Sequence, residues 1–213
     1  MDWIVVVPVK PAAAGKTRLA GLLSPDARVA LVRAMALDTI DAARETPGVT
    51  RVVVVTADAQ VRAAVADVVD EPVAAAGPEG GLNAAVRAGV ARARVLDPDA
   101  GVAVLLGDLP ALRPADLADV LVAAAGHARA VVADAGGTGT TVLTAGPGVG
   151  IEPRFGVGSA AAHEAGGHVR LDVASASSVR RDVDVPDDLA EVARLGVGPR
   201  TRAVLSGAPV DQG

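Results

Sequence analysis

Two kinds of apolar pattern alternate along the first two thirds of the chain. Trp3–Val9 (WIVVVPV) and Val102–Leu106 (VAVLL) are unbroken apolar runs, the mark of strands buried on both faces. Other stretches repeat at helical spacing. Ser24-Pro25 reads as a cap followed by proline at the first helical position, and Val32, Met35, Ala36, Thr39, Ile40 and Ala43 then share one stripe to about Glu45. Pro47-Gly48 ends that helix, and Arg51–Thr56 is a valine-rich strand. A helix from Asp58 to Val69 would turn Val61, Ala64, Val65 and Val68 inward. Pro72–Ala76 reads as a short strand, Gly77–Gly81 as a loop and Leu82–Arg94 as a helix. After the strand at 102–106, a helix from Pro114 to Ala125 points Leu117, Val120, Leu121 and Ala124 to the core.

The remainder is less regular. Strands are expected at Arg129–Asp134, Thr140–Thr144, His168–Ala174 and Arg180–Val185, and helices at Ser159–Ala165 and Asp187–Leu195. Between them, Ala145–Gly158 carries five Gly and two Pro and must be a long loop. Strand and helix in alternation predict a single-domain α/β fold, a mostly parallel doubly wound sheet, with the later strands adding an antiparallel section. The domain spans 1–196, and 197–213 is a C-terminal tail.

Composition narrows the function. The chain has 213 residues, 51% of them hydrophobic, which is enough for one full core. Its net charge is −5, and its only aromatic residues of the Phe, Tyr and Trp kinds are Trp3 and Phe155. A nucleic-acid surface would need a basic face or stacking rings, so that class is set aside. Without cysteine there is no thiol catalysis and no zinc–thiolate site. The apolar runs are too short to span a membrane, and MDWIVVVPVK reads as a strand rather than a signal peptide. A cytoplasmic protein is expected.

Four places carry candidate chemistry. Asp108 follows the strand at 102–106 and precedes Leu109-Pro110, at the strand end where open α/β sheets bind ligands; a turn-capping Asp would look the same. The loop after the first strand, Lys10 to Arg18, holds both lysines of the chain, Lys10 and Lys16, and the other eighteen basic residues are all arginine. Gly15-Lys16-Thr17 lacks the first glycine of a P-loop, so the loop is read as compact positive charge against phosphate, with a solvated basic loop as the plain alternative. Gly80, Gly81 and Asn83 open a helix, where backbone can approach a ligand and Asn83 can read a base edge or ribose, although Gly-Gly-x-Asn is also an ordinary cap. Arg154–Ser159 leads into a short helix with Ser159 as its N-cap, suited to an anion or simply to capping. Finally, strand alternation sets Asp182 and Asp184 on one face, as a divalent-cation site or a solvated edge would.

Taken together, VVPVKPAAAGKTRL, GLNAA, LLGDLPAL, FGVGSAAAH and DVDVPDDL occur in the order seen in the phosphoenolpyruvate/2-phospho-L-lactate guanylyltransferases, and the chain resembles that family from Trp3 to about Leu195. These enzymes make the guanylylated precursor of the deazaflavin coenzyme F-420, on the nucleotidyltransferase fold shared with molybdenum-cofactor guanylyltransferases. One departure is Gly107, where an Ala is commoner in the family.

The resemblance implies that residues 1–196 form a nucleotidyltransferase domain. It implies GTP held by Lys10, Lys16, Arg18, Gly80, Gly81 and Asn83, and Mg²⁺ held by Asp108, Asp182 and Asp184. Thr141, Gly156 and Ser159 would bind the acceptor, phosphoenolpyruvate, and Lys16, Arg18 and Asp108 would be catalytic. The reaction needs no general base, because the attacking phosphate is already ionised, so His163 is read as packing or solvated. The partners implied are GTP, a phosphorylated three-carbon acid and the next transferase of the pathway, which would receive the product. Phosphoenolpyruvate is preferred to 2-phospho-L-lactate because the Ala, Val, Gly and Arg bias resembles that of actinobacterial members. Other readings are a nucleotidyltransferase acting on a sugar phosphate or pterin, and a non-enzymatic nucleotide-sensing module.

Overall fold

The computed structural model describes residues 1–10, 19, 23–66, 68–70 and 80–207. The expected strand at 72–76 lies outside these residues, as do Lys16 and Arg18.

The all-apolar first run forms β1 (Trp3–Val9), buried along its whole length. Its residues alternate between two cores, as a strand's period requires. Trp3, Val5, Val7 and Val9 face α1 (Pro25–Arg44) and α4 (Pro114–Ala124), where they meet Ile40, Ala43, Leu117 and Leu121. Ile4 and Val6 face the other way, against Ala85, Val86 and Ala93 of α3 (Gly80–Leu96). A third, smaller core joins Leu31 and Met35 of α1 to Val183 and to Leu189 and Val192 of α6 (Pro186–Leu195).

Among the described residues the sheet has seven strands in the order β3-β2-β1-β4-β6-β5-β7. β1, β2 (Val49–Thr56), β3 (Val68–Asp70) and β4 (Gly101–Leu105) are parallel, and β6 (Thr140–Ala145) runs antiparallel between β4 and β5 (Arg129–Ala133). β7 (Val169–Arg170) adds a two-residue edge parallel to β5. The chain winds one way from β1 to β2 and β3, then crosses back to β4 on the other side of β1. That reversal makes the gap between the carboxyl ends of β1 and β4 the switch point of the sheet. β1 and β4 pair only as far as Val6 and Val104, so Pro8, which has no N–H to give, sits where β1 needs no partner on that side.

Several expectations are corrected. The helix at 58–69 is one short turn, α2 (Ala59–Ala63), capped by the Asp58 carboxylate; the chain then extends so that Val68 can pair beside Val54 at the sheet edge. The strand expected at 168–174 is ordered as a ladder only at β7. The one expected at 180–185 is not a ladder strand: a 3₁₀ turn at Ser178–Arg180 leads into irregular chain held by other contacts. Beyond residue 196, α7 (Pro199–Leu205) packs on α1, with buried Asp38 accepting the N–H groups of Arg200 (3.2 Å) and Thr201 (2.8 Å).

Candidate active site at the carboxyl ends of the strands

Asp108 lies three residues past β4, on the β4 side of the switch point. Its peptide neighbours fix it in place. The Leu109 N–H donates to the Thr39 hydroxyl of α1 (3.2 Å), and the Asp108 carbonyl accepts the Val183 N–H (3.1 Å). That second bond brings in the distant segment 182–184. Val183 is buried, and Asp182 and Asp184 flank it. The segment is anchored from behind: Ser178 donates its N–H (2.7 Å) and hydroxyl (2.6 Å) to Asp116 of α4, and Arg180 donates to the Asp134 carbonyl (2.9 Å).

Asp182 carries the electrostatic signature of the site. Burial raises its pKa to about 7, and the negative charges of Asp108, Asp184 and Asp134 push the same way. The three carboxylates named from the sequence therefore share one electrostatic neighbourhood. Asp134, at the end of β5, is a fourth member that the sequence reading passed over. Its oxygens accept the N–H groups of Thr138 (2.9 Å) and Gly139 (2.9 Å) in the β5–β6 turn. The signal available was an Asp at a strand end before Ala-Gly-Gly-Thr-Gly. A cleft lined by Asp134, Arg181, Asp182, Asp184, Asp188 and Glu191 opens here, with Arg181 paired to Glu191 (2.7 Å).

The fit of a divalent cation can be judged from these groups. The donors are hard oxygens, and their mutual repulsion is what a cation would relieve. Among the described residues, no three His, Cys, Asp or Glu side chains already converge as a metal-holding set, so seating an ion would entail turning them.

Lys10 is exposed at the end of β1, across the switch point from Asp108. Gly107 lies against β1: a Cβ there would stand 3.2 Å from Val9 Cγ2, so alanine would fit only with a small shift of Val9.

The segment read as the acceptor side is built differently. Thr141 is fully buried beside Leu106, whose N–H it accepts (3.1 Å), and its own hydroxyl has no hydrogen-bond partner among the described residues. Ser159 is not the N-cap. Gly158, at φ 72°, takes that position in α5 (Ser159–Ala165), and the buried Ser159 hydroxyl donates to Thr140 Oγ1 (3.1 Å). His163 is fully buried as well. Its Nε2 accepts the Arg154 N–H (2.9 Å), so the neutral ring carries its proton on Nδ1 and donates to Thr140 Oγ1 (3.0 Å). Burial lowers its pKa to about 4, with His168 and Arg154 adding repulsion. Of the two readings left open for His163, the packed one is what the fold shows.

At the amino end of α3, Gly80 and Gly81 lie in the first turn. Asn83 is buried, accepts the Phe155 N–H (2.9 Å) and donates to the Phe155 carbonyl (3.1 Å). Asn83, assigned to the nucleotide, is thus bonded to Phe155, the neighbour in sequence of the acceptor candidate Gly156.

Residues 3–210 match the family model described as "Guanylyl transferase CofC like". The chain is 52% identical over 242 residues to the phosphoenolpyruvate guanylyltransferase of Sanguibacter keddieii, covering 95% of this chain and 84% of the relative. It is 49% identical to the enzyme of the same name from Streptomyces scabiei, covering 97% of each. In fold it is similar to a crystal structure from Desulfovibrio desulfuricans described as a nucleotide-diphospho-sugar transferase, with a TM-score of 0.68, 15% identity, and coverage of 97% of this chain and 95% of the other. No helix among the described residues is long and apolar enough to cross a membrane.

Proposed function

The chain belongs to the CofC-like guanylyl transferase family, and on that footing we propose that it transfers GMP from GTP to phosphoenolpyruvate. A phosphate oxygen of the acceptor attacks the α-phosphorus of GTP, the new P–O bond forms, and the bond to the β-phosphate breaks to release pyrophosphate. The product is enolpyruvyl-diphospho-guanosine, a precursor of coenzyme F-420. The observation that carries this reading is the joining of Asp108 to the Asp182–Asp184 segment at the switch point, through the Val183 N–H bond to the Asp108 carbonyl.

Two polyanions must be brought together, so charge and alignment are the barrier. Lys10, Lys16 and Arg18 supply positive charge to the triphosphate, and Lys16 and Arg18 stay on it as the α-phosphorus is attacked. Gly80, Gly81 and Asn83 border the guanosine. Thr141, Gly156 and Ser159 border the acceptor; the buried Thr141 hydroxyl is a donor in wait for an anion. Asp108, Asp182 and Asp184 are the residues that would hold Mg²⁺, which when bound supplies charge neutralisation at the phosphates. The acceptor phosphate is ionised at neutral pH, so no general base is assigned, and the neutral, fully hydrogen-bonded His163 suits none.

Phosphoenolpyruvate is preferred to 2-phospho-L-lactate because the relatives of this name match at 49–52% identity. The two acids differ in a planar against a tetrahedral carbon, a difference a pocket separates by only about 1–3 kcal/mol, so slow use of phospholactate is expected. The reaction is placed in the cytoplasm, with product passed to the next transferase of the pathway. Pyrophosphate release from GTP, followed with a panel of phosphorylated three-carbon acids and Mg²⁺, tests the reading. Release is expected to depend on phosphoenolpyruvate and to be fastest with it. Faster release with phospholactate would overturn the choice of acceptor, and none with any acid would overturn the activity.

A further inference from the structure

Arg154 and Phe155 are consecutive in a segment without regular secondary structure, yet each gives its backbone N–H to a side chain from a different helix. Arg154 donates to His163 of α5, and Phe155 donates to Asn83 of α3, both at 2.9 Å. Asn83 then donates its amide back to the Phe155 carbonyl at 3.1 Å. A side-chain amide offers donor and acceptor side by side, as a peptide group does, so Asn83 pairs with Phe155 as one residue of a strand would.

The same helix holds the preceding chain along its length. Arg87 is paired with Glu152 (2.7 Å), and Arg94 donates to the carbonyls of Gly146 (2.8 Å) and Val149 (2.9 Å). α3 is itself seated hard on the sheet. At Gly89 an added Cβ would stand 2.3 Å from Val6 and 2.8 Å from Val55, so only glycine allows this approach. Position is therefore handed from β1 and β2 to α3, from Asn83 to Phe155, and from Phe155 to the adjoining Gly156.

We propose that Asn83 is a positioning residue of the transfer reaction. It acts through Phe155 to set where Gly156–Ser159 stands relative to a nucleotide at the amino end of its own helix. The inference rests on the assignment of acceptor and nucleotide segments above. In-line transfer between two bound substrates is sensitive to placement, and an error of about 1 Å costs on the order of 100-fold in rate. Binding of either substrate alone is far less sensitive, because each still meets its own segment.

The test is steady-state kinetics of the full chain with GTP and phosphoenolpyruvate for Asn83→Ala and Asn83→Asp. The aspartate keeps an acceptor for the Phe155 N–H but sets an oxygen against the Phe155 carbonyl. In both variants kcat per folded molecule should fall about 10–100-fold, more in alanine than in aspartate, with the phosphoenolpyruvate KM within about threefold of the wild type and any rise in the GTP KM, from the guanosine edge Asn83 borders, smaller than the fall in kcat. If the alanine variant does not fold, the aspartate variant carries the test on the same criteria. A rise in the GTP KM with kcat kept would make Asn83 a nucleotide contact alone, with no part in positioning, and overturn the proposal. A lowered Tm with kcat per folded molecule unchanged would make it merely structural and overturn it too. Wild-type protein that releases no pyrophosphate would defeat the functional reading itself, and this inference with it.

Discussion

The carboxylates around Asp182 and the hydroxyls and ring around His163 sit at the same end of the sheet, yet they are built on opposite terms. On the His163 side buried polar groups answer one another. Arg154 donates to His163, and His163 and Ser159 both meet Thr140. On the Asp182 side a carboxyl is buried with like charges set around it, and burial first, then their repulsion, keeps its proton on up to about pH 7. Satisfied buried groups stabilise a shape, whereas crowded charges destabilise the fold unless something else is bound. The first arrangement defines a scaffold, and the second marks where chemistry is expected.

The largest effect that would break this contrast belongs to the charged side. Asp108→Asn should lower turnover by about 100-fold or more, in line with the loss of one key electrostatic group in an active site, while leaving Tm no lower than that of the wild type, since a repelling charge beside Asp182 is removed. Pyrophosphate release and calorimetry on one preparation check it, and retained turnover would remove Asp108 from the reaction.

Next in size is the acid sensitivity of the paired side. The folded pKa of His163, about 4, lies below its free value of 6.5, so the unfolded chain takes up the proton first. Stability is whole above pH 6.5 and falls through that window, by about 3 kcal/mol at pH 4, since each pKa unit is worth about 1.4 kcal/mol. Denaturant melts of the wild type and His163→Asn between pH 4 and 7 should show this slope in the first and a flatter one in the second. Equal slopes would mean that His163 is not the group concerned.

Lys16→Ala comes third. Losing a charge-assisted phosphate contact should cost about 1.5–3 kcal/mol in kcat/KM for GTP, without loss of fold; unchanged GTP kinetics would remove the loop from the phosphate site. Smallest is Ser159→Ala, which sharpens the division between substrates. The hydroxyl already has a partner in Thr140, so the acceptor KM should rise only several-fold, about 1 kcal/mol, and the GTP KM less. A larger rise for GTP would place the acceptor elsewhere.

How much of this was legible in the sequence depended on distance along the chain. β1 and the stripe of α1 were plain because their pattern is local and long. The helix at 58–69 was overextended because Val61, Ala64, Val65 and Val68 keep a helical spacing that only pairing with β2 overrides. α7 was missed because its cap comes from Asp38, far away in α1. In the site, Asp108, Asp182 and Asp184 could be named because strand ends and alternation point to them. Asp134 looked like the last residue of a strand, and its effect on Asp182 arises only from the turn that places it there. Asn83 and His163 were visible as residues but not as clamps, since their partner segment is irregular and carries no pattern to read. Ser159 looked like a cap until Gly158, with its positive φ, took the place.

The most direct test of the contrast is Asp182→Asn, with turnover and Tm measured on the same protein, the latter at pH 8 with chelator present. The raised pKa means that ionised Asp182 destabilises the fold above about pH 7, by up to roughly 4 kcal/mol at about 1.4 kcal/mol per unit. Removing that charge should raise Tm by several degrees while abolishing pyrophosphate release. A variant that is less stable, or one that still turns over GTP at the wild-type rate, would contradict the account.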